Sequence, residues 1–230
     1  MLTLLKTAPL FGLLLVNVAF AQPTNIQLEY DVSRNDSSFG TVKDSYEQEG
    51  GQYHIVSTTE GKGLYALLGK RVLMSDGQVT VKGLVPAKFQ LKRGSTGKSF
   101  SAMFDWAGNQ LKMLVKGENR TATLVAGALD LASYPYQFMF APPAGEQVEM
   151  TLTTGKKLDK YVYNIVDNHA VLEVGGVSYE TIHLASAEVD GKKKKELWLA
   201  KSKHYIPVKY LVVDKHGDKI EQTLTNMRIN

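Results

Sequence analysis

Ser99-Phe100-Ser101-Ala102-Met103-Phe104-Asp105-Trp106 sets Phe100, Ala102, Phe104 and Trp106 on one side of an extended chain and the remaining residues on the other. Successive side chains of a strand point to opposite faces, so this alternation buries one face and wets the other. Working outward, the same period returns in Val148-x-Met150-x-Leu152, in Tyr161-x-Tyr163-x-Ile165 and in Ile206-x-Val208-x-Tyr210-x-Val212. Half-buried alternation of this kind is the mark of antiparallel sheet, and the Val, Thr, Tyr and Phe content favours it. Between the runs stand Glu49-Gly50-Gly51, Asp76-Gly77, Ala107-Gly108-Asn109, Asp167-Asn168, Gly175-Gly176, Asp190-Gly191 and His216-Gly217-Asp218, residues that tolerate the backbone of tight hairpins. Short strands joined by hairpins predict an all-β fold: a large curved antiparallel sheet forming a half-barrel or β-roll.

Two segments interrupt the pattern. Gly61 to Leu68 suits a short helix or an irregular strand, and Asp130 to Pro143 suits a helix. In the latter, Ser133 can cap, Pro135 fits a first turn and Pro142-Pro143 end it. Its Tyr134, Tyr136, Phe138, Met139 and Phe140 are too apolar to face water together, so the segment is expected to plug the sheet or, in the alternative, to form a lid over a cavity.

The first 21 residues read as a leader. Lys6 gives a positive start, Leu10 to Val16 an apolar stretch, and Ala19-Phe20-Ala21 the small residues a signal peptidase accepts. Pro9, Gly12 and Asn17 break the run short of the ~20 apolar residues that a membrane span requires. The expectation is residues 1–21 as a signal peptide cleaved after Ala21, residues 22–230 as a single β-rich domain, and a periplasmic location. With no cysteine there is no disulfide, no thiolate metal site and no lipid acceptor, so the protein is not expected to be a lipoprotein.

Charge excludes little. The net charge of +4 includes Lys6, and bases and acids are interspersed. Lys192-Lys193-Lys194-Lys195, after Asp190-Gly191, suits a solvated loop or a contact for anionic headgroups or an acidic partner. No basic stripe with interleaved aromatics points to nucleic acid.

No catalytic signature is present. His54, His169, His183, His204 and His216 lack metal-ligand spacing, no G-x-S-x-G elbow occurs, and the glycines of Gly94-Ser95-Thr96-Gly97-Lys98-Ser99 are too close for a phosphate-binding loop. No cofactor and no metal are therefore expected. Asp105 and Asp130 could act as an acid–base pair, with Arg93 nearby, only if the fold brought them together; otherwise Asp105 starts a turn and Asp130 caps backbone N–H groups.

Gly83-Leu84-Val85-Pro86-Ala87-Lys88-Phe89, Arg93, Phe104-Asp105-Trp106, Asp130-x-x-Ser133, Tyr136-Gln137, Glu196-Leu197-Trp198-Leu199-Ala200, Pro207-Val208-Lys209 and Glu221-Gln222-x-Leu224 follow one another in this order. The set resembles an exported proteobacterial family, domain of unknown function 3108, across nearly all of residues 22–230. The resemblance implies a large curved antiparallel sheet and carries over no catalytic residue. At fold level that sheet is similar to the half-barrels of periplasmic lipoprotein carriers, which wrap an acyl chain behind a helical lid; fold alone does not assign function. The leading expectation is a non-enzymatic protein binding or carrying an apolar, lipid-like ligand, with Phe104, Trp106, Tyr136, Phe138, Phe140 and Trp198 lining the cavity. The alternative is an envelope assembly or scaffold factor acting through protein–protein contacts. A hydrolase ranks last.

Overall fold

The computed structural model describes residues 22–94, 98–187 and 193–230. The leader over 1–21, the middle of the 94–99 loop and the Asp190-Gly191 turn with Lys192 lie outside the described residues. Strands β1 (Asn25–Arg34), β2 (Ser37–Glu49), β3 (Gln52–Gly61), β4 (Arg71–Thr80), β5 (Gly83–Arg93), β6 (Lys98–Asp105), β7 (Gln110–Val115) and β8 (Glu118–Thr123) form one meander. After β9 (Leu129–Asp130) and the single helical turn α1 (Tyr134–Gln137) come β10 (Gln147–Thr153), β11 (Leu158–Val174), β12 (Val177–Ser186), β13 (Lys194–Ala200), β14 (Ile206–Val213) and β15 (Lys219–Ile229). All are in one 15-stranded sheet ordered β8 to β1, then β15 down to β9. The two meanders join where β1 pairs with β15, Tyr30 opposite Leu224 and Ile26 opposite Ile229.

Period two explains which face is buried. Ile26, Leu28, Tyr30 and Val32 of β1 are all nearly inaccessible, as are Phe89 and Leu91 of β5, Phe100 and Ala102 of β6, and Leu197 and Leu199 of β13. Register carries this face across the sheet: Leu91 stands opposite Phe100 and Phe89 opposite Ala102. Each large side chain fully buried there contributes about 1.5–3 kcal/mol, which lets a chain with no disulfides hold its shape.

The concave face is covered by residues 124–145. This stretch runs back over the sheet, adds β9 in parallel beside β10 and places α1 against β5 and β14. The expected helix over Asp130–Pro143 shrinks to Tyr134–Gln137, with Pro135 in its first turn. Ser133 makes no side-chain cap; its hydroxyl accepts the N–H of Asp130 instead, at 3.0 Å. Asp130 takes the capping role, its Oδ1 accepting the N–H groups of Ala132 (2.8 Å) and Ser133 (2.9 Å). Gln137 pins the other end: its Oε1 accepts the Leu84 N–H at 2.8 Å and its Nε2 donates to the Lys82 carbonyl at 2.9 Å. Gly83 makes this clamp possible. Its φ is +112°, and a Cβ there would lie 2.2 Å from the Gln137 side chain. The other interruption resolves as a 3-10 turn, Gly63–Leu68, between β3 and β4. Two expected hairpin turns are strand instead: Asp76-Gly77 is a bulge inside β4, where the register against β5 shifts, and Asp167-Asn168 lies inside β11, whose register against β12 shifts on either side of Asp167.

Candidate functional site

Between α1 and the concave face lies a cavity of about 190 Å³. Its apolar wall is Val42, Ile55, Leu73, Leu131 and Val212; its polar wall includes Asp44, Ser57, Arg71, Lys195 and Gln222; Tyr134, Tyr136 and Tyr210 complete it. The strands deliver these groups by register. Asp44 is in phase with Val42 and Tyr46 on β2 and stands opposite Leu28 of β1 and Ser57 of β3. Arg71 stands opposite Thr59, Lys195 opposite Val212, and Tyr210 opposite Gln222.

The electrostatics of this cavity are those of a carboxyl group out of water. Burial pushes the Asp44 carboxyl from 3.8 to about 6, with the Ser57 hydroxyl and the Arg71 guanidinium offsetting part of the rise. Burial also lowers Arg71, with repulsion from Arg93 adding to it, and lowers Lys195. The Lys195 ammonium lies 4.4 Å over the Tyr161 ring. Tyr136 stacks on Tyr46 with ring centroids 5.2 Å apart. Among the described residues three side-chain atoms are sealed from solvent without a hydrogen-bond partner, Gln22 Oε1, Asp44 Oδ1 and the Tyr136 hydroxyl, and the last two line this cavity. Buried polar atoms are almost always satisfied, so a pair left open at one place marks where another molecule's polar atoms would fit.

Larger hollows lie elsewhere. One of about 690 Å³ runs along the strand ends at Val174, Tyr179, Met227 and Ile229, and one of about 710 Å³ lies beside Thr24, Gln48, His54 and Asp76. Both are open surface grooves, and neither contains a sealed, unpartnered polar atom. The smaller cavity is the better candidate on that ground.

The six aromatics singled out in the sequence are dispersed. Tyr136 lines the cavity. Phe138 is fully buried in the core, and Phe140 is half-buried against it. Phe104 stacks on Trp106 at 5.7 Å, and Trp106 Nε1 donates to the Pro86 carbonyl at 2.7 Å. Trp198 lies between buried Leu197 and Leu199 and so faces the opposite side of the sheet, flat against His183 at 4.2 Å. His183 Nε2 is hydrogen-bonded to Glu196 at 2.7 Å. The acid pair does not assemble: Asp105 closes β6 and accepts the Gly108 N–H at 2.9 Å, Arg93 ends β5 at the other end of the sheet, and Asp130 is buried under α1. No group of three or more His, Asp or Glu with metal-ligand geometry occurs among the described residues. Nor is any helix there long and apolar enough to cross a membrane.

Asp44, Ser57 and Arg71 escaped the sequence reading, and Lys195, expected in a solvated loop or a headgroup contact, instead lies half-buried in β13 in the cavity wall. The signal was present: in Val42-x-Asp44-x-Tyr46 and Ile55-x-Ser57-x-Thr59 a polar residue occupies an inward phase. One polar residue per strand blurs the alternation, and only the pairing of β2, β3 and β4 gathers several at one place.

A family model described as protein of unknown function (DUF3108) matches residues 29–225. No curated protein matches the chain. Among solved structures, the chain is similar to a domain described as an outer membrane lipoprotein-sorting protein from Vibrio parahaemolyticus. The two share 12% identity over 90% of this chain and 85% of that one, with a TM-score of 0.26.

Proposed function

The chain belongs to the family of unknown function DUF3108, and from that premise we propose that it is an exported, non-enzymatic periplasmic protein that binds an amphiphile in the cell envelope. The observation that carries this reading is the cavity under α1, where Asp44 Oδ1 and the Tyr136 hydroxyl have no partner and the walls are otherwise part apolar, part cationic. Such a lining suits a polar head with an apolar continuation: Arg71 and Lys195 for an anionic atom, Asp44 and Tyr136 for a hydroxyl or amine, and Val42, Ile55 and Leu73 for the tail. Small-molecule pockets run from roughly 300 Å³ upward, so a long acyl tail enters only if Tyr134–Gln137 shifts from its seat. In this reading Tyr136 is the contact residue, Phe104, Trp106, Phe138 and Phe140 support the covering segment and the sheet, and Trp198 is reached only by a ligand on the other face.

Titration of the purified protein with a fluorescent fatty acid tests it. Saturable binding, weakened at least about tenfold by Arg71→Ala, is expected; no saturable signal would sink the proposal.

A second reading, an envelope assembly factor, draws on the free edge of β8. Among the described residues that strand has β7 on one side and no strand on the other, which leaves its backbone open to pairing with an added strand. Glu118 and Arg120 on that edge restrain indiscriminate pairing. Crosslinking in intact cells from a photoreactive residue at position 121 distinguishes this reading by capturing a discrete partner.

A further inference from the structure

The 3-10 turn between β3 and β4 exposes leucine to a degree seen nowhere else among the described residues. Leu64 and Leu67 are each 86% exposed and Leu68 67%. This is an ordered projection. Tyr65 packs on Phe39 with ring centroids 4.5 Å apart, the Lys62 N–H bonds the Phe39 carbonyl at 2.9 Å, and the Gly69 N–H closes the turn onto Ala66 at 3.1 Å. The aromatic ring is therefore the turn's anchor, and the three leucines are left pointing outward. Lys62 and Lys70 flank them, held by Asp31 at 3.0 Å and Glu60 at 2.7 Å.

The rim around them carries more amines than carboxylates. By strand pairing, the turns at this end of the sheet bring Lys116, Lys156, Lys193 and Lys215, all exposed, to the same rim as the leucines, with Asp36, Glu118 and Asp218 among them. At the opposite end the turns mix Glu49, Asp105, Glu146 and Glu173 with Lys82, Lys201 and Lys203. Exposed leucines in a lysine-bearing rim are the composition of an interfacial membrane anchor: apolar tips enter the acyl boundary while the amines meet anionic headgroups. A projecting knob also suits a soft phase, whereas a protein partner would need a matching socket.

We infer that this end of the sheet docks on an anionic lipid bilayer, with Leu64, Leu67 and Leu68 inserted. The inference is independent of whether the cavity holds a ligand, although the two fit one another. Thr59 and Arg71, which line the cavity, are the paired residues of β3 and β4 next to the leucine turn.

The test uses protein expressed as the full chain and sedimented with vesicles of phosphatidylglycerol and phosphatidylcholine, or of phosphatidylcholine alone. Wild type is expected to sediment with the mixed vesicles and at least about fivefold less with the neutral ones, the effect of one net lysine charge. Leu64→Ser/Leu67→Ser/Leu68→Ser should weaken vesicle binding by about a hundredfold while leaving the circular dichroism melt unchanged, since these side chains are outside the core. In Leu67→Trp, tryptophan emission should move to the blue on adding vesicles. Equal sedimentation of the triple serine variant, or none of the wild type, overturns the inference. So does a blue shift of Leu67→Trp that follows protein concentration without lipid, which would assign the turn to a second copy of the chain.

Discussion

Two carboxylic acids on the concave side of this sheet, Asp130, fully buried, and Asp44, half-buried, are shifted in the same direction and differ in their company. Both are pushed by burial from 3.8 to about 6. Asp130 is fully wired: Ser75 donates to its Oδ2 at 2.6 Å, Ala132 and Ser133 donate to its Oδ1, and Tyr53 joins the chain through Ser75 at 3.0 Å. Asp44 has an oxygen with no partner and a cavity in front of it. Burying a charge is costly, and satisfied bonds are what offset it. The comparison teaches that depth and acidity do not identify a site; the unfilled hydrogen-bonding capacity does. Asp130 fastens the covering segment to the sheet, and Asp44 is poised for something else.

Substitutions separate the two acids. The largest effect is expected from Asp130→Ala, which strands a buried hydroxyl and two backbone N–H groups. A loss of about 3–5 kcal/mol in urea unfolding, with proteolysis appearing inside residues 124–145, is the expected result. Ser75→Ala removes one link between Tyr53 and Asp130 and should cost about 2 kcal/mol by the same measurement. Asp44→Asn should do the reverse at pH 7 and stabilise by roughly 1–2 kcal/mol. That is less than the ~3 kcal/mol that two pKa units represent, because Arg71 loses a neighbouring anion. The pH dependence has a definite sign. A folded-state value above the unfolded one means that the native protein holds the extra proton, so this contribution is fully present below about 4 and is lost as pH rises through about 6. Melting temperature followed from pH 4 to 7 should therefore fall less steeply in Asp44→Asn than in wild type. The smallest effect belongs to Tyr136→Phe, within about 1 kcal/mol, because its hydroxyl has no partner to lose; a larger loss would mean that the hydroxyl is satisfied and the cavity assignment wrong.

Much of the fold was legible because strands announce themselves one residue at a time. Phe100, Ala102 and Phe104 are inward where the alternation puts them, and Gly50-Gly51, Gly108-Asn109, Gly175-Gly176 and Gly217-Asp218 fall at hairpins, whereas Asp76-Gly77 and Asp167-Asn168 mark irregularities inside β4 and β11. The covering segment was legible only as apolar. Tyr136, Phe138 and Met139 are all buried, so no face of the segment is free to give a helical period, and Asp130 replaces Ser133 as the cap. The parallel pairing of Leu129–Asp130 with Leu152–Thr153 spans too few residues to leave a pattern. Several short motifs behind the family resemblance have one physical explanation: Gly83 with Gln137, Pro86 with Trp106 and Asp130 with Ser133 are contacts that seat the cover or brace the sheet next to it. They record how the covering segment is fastened, and for that reason they said nothing about Asp44.

The seam between β1 and β15 has a consequence for assembly. Tyr30 meets Leu224 and Ile26 meets Ile229, so the middle of the sheet closes only through residues at opposite extremes of the described chain. Until Lys219–Ile229 is available, each meander exposes a raw, sticky border, and zippering the two demands the most distant encounter in the molecule. Such distant pairings make folding slow, and the waiting halves are vulnerable to clumping. Refolding should therefore be sluggish, and a chain cut short before Lys219 should accumulate as aggregate rather than as a smaller native protein.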